Sequence, residues 1–241
     1  MVDIHCHILP GLDDGADNIE ESLRMARLAV DGGTRAIIAT PHCNIPDSFE
    51  NYFGRDYADI FNAFKEKLRA EDIPLKIYPG HEIFSSENIG ALIKKRRLLT
   101  LAGSDYPLVE FGFTEAAESV YEKLRMLVAE GLTPIVAHPE RYAFVAEDDF
   151  APYRLKALGC LLQINKGSLK GNFGREAYTV SGYILENELA DFVASDAHSP
   201  YMRTPYLADA YELISEAHSR DYADLLLKTN PSAVIQNKKI N

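Results

Sequence analysis

Val2-Asp3-Ile4-His5-Cys6-His7 opens the chain with an apolar, strand-like run that ends in two histidines one residue apart. Six more runs of this kind follow: Ala36–Thr40, Leu75–Tyr78, Leu108–Phe111, Pro134–Ala137, Leu161–Ile164 and Asp191–Ala194. With Val2–His5 they make seven candidate strands. They are nearly continuous apolar runs rather than alternating ones, the pattern of parallel strands covered on both faces. Amphipathic helical patterns lie between them. Asn18 is placed to cap a helix through Val30, and Gly32-Gly33 to end it. Further helices are expected over Asn51–Ala70, Ala117–Glu130, Glu147–Leu158, Arg175–Glu188 and Pro205–Ser219, with Asp221–Leu227 and Pro231–Gln236 at the end. Strand alternating with helix indicates an α/β barrel or an open doubly wound sheet. No glycine-rich loop follows the first run, which removes dinucleotide and P-loop readings.

The 241 residues contain no repeat, low-complexity tract or linker, so a single domain spanning 1–241 is expected. Hydrophobic residues make up 46% and charged residues 25%, as in an ordinary globular protein. A net charge of −11 argues against a nucleic-acid footprint, which needs clustered Lys and Arg. No apolar stretch reaches membrane-spanning length, and Val2-Asp3-Ile4-His5 lacks the basic and apolar regions of a signal peptide. Cys6, Cys43 and Cys160 are an odd set without paired spacing, which fits free thiols in a reducing cytosol. A cytoplasmic protein without membrane insertion is the expectation.

Six of the seven histidines stand at or just beyond a strand end: His5, His7, His42, His81, His138 and His198; only His218 falls on a helix. Glu82, Glu110 and Asp196 occupy equivalent places. Ligands of α/β barrels and open sheets bind at the carboxyl ends of the strands, so these residues should converge. Histidine mixed with carboxylate suits Mn²⁺, Fe²⁺ or Zn²⁺, and the number of candidates suits two or three ions. Taken singly, each has an ordinary reading. A lone His-x-His is weak, and Asp13-Asp14-Gly15 reads as a turn. Glu110 inside Leu108-Val109-Glu110-Phe111, and Asp196 after Phe192-Val193-Ala194-Ser195, are harder to dismiss, because a carboxylate in an apolar run is costly unless paired or metal-bound.

Asp-Ile-His-x-His, Asp-Asp-Gly, Thr-x-His, Glu-Ile, Val-Glu-Phe, Ala-His-x-Glu-Arg-Tyr and Ala-Ser-Asp-x-His, in this order, resemble the PHP (polymerase and histidinol phosphatase) superfamily. More closely, they resemble the manganese-dependent protein tyrosine phosphatases of bacterial capsule and exopolysaccharide operons. The resemblance runs in register from Met1 to about Pro205. It implies a distorted (β/α)₇ barrel with the metal site at the C-terminal ends of the strands. It further implies one metal on His5, His7, Glu82 and Asp196, a second sharing Glu82 with Glu110 and His138, and a third on Asp14, His42 and His198. Arg141 and Arg203 match arginines that grip the substrate phosphate. The implied ion is Mn²⁺, with Fe or Zn as alternatives. The implied partner is a phosphotyrosine protein, the C-terminal tail of a bacterial tyrosine kinase. Three positions depart from the pattern. Cys6 replaces a common serine, and strand alternation turns it away from the metals. His81 stands beside Glu82, of which only Glu82 is expected to face inward. The segment Asn165-Lys166-Gly167-Ser168 differs at the barrel mouth, leaving substrate preference open there.

The chemistry expected of such a site is in-line attack on a phosphate monoester by a metal-bridging hydroxide, without a covalent enzyme intermediate. Arg141 and Arg203 would hold the phosphate, and His198 or Asp14 would protonate the leaving oxygen. A cysteine mechanism requires Arg six residues after the nucleophile. Leu12, Phe49 and Lys166 stand there after Cys6, Cys43 and Cys160, so it is rejected. Phe49, Tyr52, Phe53 and Tyr57 lie near His42 and are either stacking groups for a phosphotyrosine ring or the core face of a helix. The alternative enzyme is a small-molecule phosphatase such as histidinol phosphatase. A non-catalytic regulator is disfavoured by the intact set of buried carboxylates.

Overall fold

Every apolar run forms a parallel strand, and two of them are followed at once by a second, shorter strand. The computed structural model describes residues 1–86 and 88–240. Its strands are β1 Val2–Cys6, β2 Ala36–Ala39, β3 His42–Cys43, β4 Lys76–Pro79, β5 Glu82–Phe84, β6 Leu108–Glu110, β7 Ile135–Ala137, β8 Leu161–Asn165 and β9 Phe192–Ala194. They form two parallel sheets, ordered β1-β2-β4 and β3-β5-β6-β7-β8-β9.

The split has a local cause. Thr40-Pro41 separates β2 from β3, and Gly80-His81 separates β4 from β5. Pro41 has no N–H to give a ladder, although its carbonyl still accepts from Glu82 N at 3.2 Å. Gly80 passes so close to β2 that a Cβ there would sit 2.9 Å from Ile38 Cγ2. Register survives the interruption: Ala39 pairs with Pro79, and His42 pairs with Glu82.

The expected barrel is therefore corrected. Among the described residues the hydrogen-bonded ladder does not close into one ring. At the seam between β9 and β1, a single bridge joins Cys6 to Ala197 beyond the end of β9. The buried Asp3 carboxylate does much of the remaining work. It accepts from Ser195 N at 3.1 Å and from Ser195 Oγ at 2.5 Å, and Asp196 N donates to His5 O at 2.9 Å. A one-residue bulge in β1 between Asp3 and Cys6 shifts its register against β2; bulges of this kind re-aim side chains beside functional sites.

Asn18 caps Ile19–Asp31 by accepting from Glu21 N, and Gly33, at φ +80°, follows the end of that helix. The helix expected from Asn51 starts at Arg55. The Asn51 amide instead ties down two loops, donating to Leu12 O and His42 O. Of the expected Glu147–Leu158 only Ala151–Ala157 is helical, and a separate short helix, Ala143–Ala146, precedes it. The last two expected helices join through a π-helical turn, Leu225–Thr229, just before Pro231, where the missing proline N–H disrupts regular α bonding. The short helices Ile89–Lys94 and Lys166–Leu169 have no counterpart in the sequence reading. Helices cover the sheets through a large core that includes Val109, Leu124, Leu162 and Ile184. Among the described residues, no helix is long and apolar enough to cross a membrane.

Candidate metal centre

The strand ends deliver the histidines and carboxylates to one place. His5 Nε2 lies 3.2 Å from His7 Nε2, 3.2 Å from Glu82 Oε2 and 3.3 Å from Asp196 Oδ1. Each ring's other nitrogen is already committed: His5 Nδ1 contacts Gln163 Oε1 at 2.7 Å, and His7 Nδ1 contacts Asp13 Oδ2 at 2.7 Å. Those acceptors require Nδ1–H on both neutral rings, so both Nε2 atoms present lone pairs. With both rings neutral, two lone pairs and two carboxylate oxygens converge in one buried space, while, against burial, the two carboxylates draw the rings toward protonation when no cation lies between them. Glu82 Oε2 is buried and has no hydrogen-bond partner among the described residues. Leaving such a group bare is expensive, and a divalent cation satisfies all four atoms at once. The residues fit the metal that the sequence implies.

Glu82 is the hub of the cluster. Its Oε1 meets His138 Nε2 at 2.9 Å, and its Oε2 meets His42 Nδ1 at 3.0 Å. Glu110 lies 3.4 Å from His42 and 3.7 Å from His138. On the outer side, Asp14 Oδ1 is 3.4 Å from His198 Nε2 and 3.6 Å from His42 Nε2. Three groups have metal-binding spacing: His5, His7, Glu82 and Asp196; His42, Glu82 and Glu110; and His7, Asp14, His42 and His198. The first has the expected membership. In the second His42 stands where His138 was expected, His138 instead contacting Glu82 Oε1, and in the outer one His7 joins; His42 turns one nitrogen to each. Burial works against a charge on His42, but Glu82 and Glu110 outweigh it and hold the ring at about 10. Three residues at the site, His138, Asp196 and Arg203, sit at φ +35°, +47° and +49°, a left-handed strain that non-glycine residues keep mainly at functional sites.

Asp196 has two sides. Oδ1 faces the histidines, while Oδ2 accepts from Arg203 at 2.6 Å and Asn165 Nδ2 at 2.5 Å, with Arg141 at 3.9 Å. Arg141 and Arg203 therefore stand beside the cluster. His81 does not. Its Nδ1 accepts from Leu99 N and its ring packs edge-on to Tyr57, and burial pulls it down to about 3. Cys6 is packed among apolar residues, and burial pushes the thiols of Cys43 and Cys160 up to about 12. All three cysteines are free and buried. Of the four aromatics near His42, Tyr57 is core, donating to Gly80 O, and Phe53 packs against the core. Tyr52 donates to Asn44. Only Phe49 touches the cluster, stacked on His42 at 5.7 Å.

Residues that sequence reasoning passed over hold the ligands in place. Asp13 fixes His7 and also accepts from His42 N at 2.8 Å. Strand β8 supplies no metal-type residue, yet Gln163 and Asn165, two apart and so on one face, bond to each other at 2.9 Å and reach His5 and Asp196. The signal was available: two amides break an otherwise apolar run. Buried Glu140 anchors the same segment by accepting from Asn165 N and Ser168 Oγ.

Residues 1–236 match the family model for capsular polysaccharide synthesis proteins CpsB/CapC. The chain belongs to the CpsB/CapC family. It is 37% identical over 242 residues to the tyrosine-protein phosphatase YwqE of Bacillus subtilis, covering 100% of this chain and 93% of that protein. It is 29% identical over 248 residues to the tyrosine-protein phosphatase CpsB of Streptococcus agalactiae, with both chains fully covered. A crystal structure from work on YwqE of B. subtilis and CpsB of Streptococcus pneumoniae, described as metal-dependent tyrosine phosphatases, superposes with a TM-score of 0.92 at 35% identity, covering 100% of this chain and 96% of the other. The buried thiols and the histidine–carboxylate cluster agree with the metal dependence stated for YwqE and CpsB.

Proposed function

We propose that this chain is a metal-dependent protein tyrosine phosphatase that hydrolyses phosphotyrosine on a protein of capsule or exopolysaccharide synthesis, the tail of a bacterial tyrosine kinase. The observation that carries the metal half is the buried convergence of His5 Nε2, His7 Nε2, Glu82 Oε2 and Asp196 Oδ1. The naming of the relatives carries the tyrosine half. His5, His7, Asp14, His42, Glu82, Glu110, His138, Asp196 and His198 would hold two or three divalent ions, Mn²⁺ first, with Fe or Zn as alternatives. Such ions supply hydroxide from water at neutral pH and offset phosphoryl charge.

The protein's own groups do the rest. Arg141 and Arg203 receive the phosphoryl oxygens through paired N–H donors. Arg203 Nε is buried without a partner among the described residues, which leaves it free to donate. Asp14, half exposed, and His198 are in contact at the outer edge, where either would orient a water that passes a proton to the departing phenolate oxygen. Gln163 and Asp13 keep His5 and His7 in the tautomer that presents Nε2 inward.

The test is a side-by-side rate comparison with purified protein and Mn²⁺. It should release phosphate from a phosphotyrosine peptide faster than from histidinol phosphate, resist iodoacetamide and stop with chelator. Activity that survives complete metal removal, or a preference for histidinol phosphate, would contradict the assignment.

A further inference from the structure

Arg141 and Arg203 bring two like charges to one edge of Asp196, on side chains that would otherwise spread apart into solvent. Phe173 lies between them. The Arg141 guanidinium sits over its ring at 4.5 Å, the Arg203 guanidinium at 5.4 Å, and Arg141 is closed from its other side by Phe113 at 4.4 Å. An aromatic face attracts a guanidinium and restricts its rotamers, so one ring steadies both cations without using their N–H donors.

Phe173 is itself seated with little freedom. A Cβ on the buried Gly167 would lie 2.6 Å from its ring carbon Cε2. Gly167 is part of the segment Asn165–Ser168, which Glu140 pins through Asn165 N and Ser168 Oγ. Phe173 also walls a cavity of about 610 Å³ that Gly167 and Arg203 line with it. Without this ring both arginines would lose an aromatic face that restricts them.

We infer that Phe173, seated on Gly167, is a positioning residue that sets the spacing of Arg141 and Arg203 for a phosphoryl group. This rests on the phosphatase reading above. It gives the divergent loop after β8 a role: its glycine exists to let the ring approach.

The experiment compares wild type, Phe173→Leu, Phe173→Tyr and Gly167→Ala as manganese-loaded proteins. Leucine fills the seat but has no aromatic face, and tyrosine restores it. Phe173→Leu should lose about 10- to 100-fold in kcat/KM on a phosphotyrosine peptide, the scale of misplaced binding groups, and bind inorganic phosphate more weakly by calorimetry. Its manganese content and melting temperature should stay near wild type. Phe173→Tyr should recover most of the loss, and Gly167→Ala should resemble Phe173→Leu. In an Arg141→Ala, Arg203→Ala background, Phe173→Leu should have almost no further effect. Wild-type phosphate affinity and kcat/KM in Phe173→Leu would overturn the inference, as would a full additional loss in the double-arginine background. A wild type inactive on phosphotyrosine whose phosphate affinity still falls in Phe173→Leu would sink the tyrosine assignment and leave this one standing.

Discussion

Asp196 divides the site into two regions that work by different physics. On its Oδ1 side, His5, His7 and Glu82 form a buried cluster of electron-pair donors placed by short strands. On its Oδ2 side, Arg141 and Arg203 are partly exposed donors on long side chains, held by aromatic faces from loops. The first region is complementary to a cation and the second to an anion. A metal–phosphate enzyme needs both, and the contrast shows how one carboxylate can couple them: each oxygen answers to one side.

Removing the cation should have the largest effect, because it empties one region entirely. Exhaustive chelation should bring phosphotyrosine hydrolysis to background, and added Mn²⁺ should restore it. Iodoacetamide should do nothing in either state of the folded protein, since its thiols are buried. Asp196→Ala attacks both regions at once and should lower kcat by about 10³-fold or more; a loss below about 10-fold would break the idea that this residue joins them. Arg141→Lys touches only the anion side. It keeps charge but loses the planar fork and its stacking, so kcat/KM should fall about 10- to 100-fold with metal content unchanged. Gln163→Leu acts first on the cation side, and reaches Asp196 Oδ2 only through Asn165. It removes the partner of His5 Nδ1 and should weaken metal affinity about 10- to 100-fold, while activity at saturating Mn²⁺ largely recovers. His81→Gln should have the smallest effect on catalysis, within about 3-fold, because His81 lies outside both regions; its cost is a stability loss of about 1 kcal/mol from the Leu99 contact.

The cation side was far more legible in the sequence than the anion side. His5, His42, Glu82, Glu110 and Asp196 advertise themselves because strand ends converge, and charged residues within apolar runs need a reason to be there. Asp13 was hidden because nothing local decides which acid of Asp13-Asp14 turns inward. Gln163 and Asn165 were hidden because amides carry no metal signature. Phe173 and Gly167 act through contacts that span from Phe113 to Arg203, and no periodicity encodes those. The positions of seven strands were readable from the apolar runs, though not their order in two sheets. The breaks at Pro41 and Gly80 had visible markers, but whether the ladder closes depends on register between β9 and β1, which local sequence does not specify.

If the histidine–carboxylate cluster binds the divalent ions that drive hydrolysis, those ions must be found there in the active protein. Anomalous diffraction at the manganese edge, from crystals of manganese-loaded and active protein, tests this most directly. Peaks should lie within coordination distance of His5, His7, Glu82 and Asp196, with at least one more between His42 and its carboxylate neighbours. Active crystals with no anomalous peak at this cluster would contradict this.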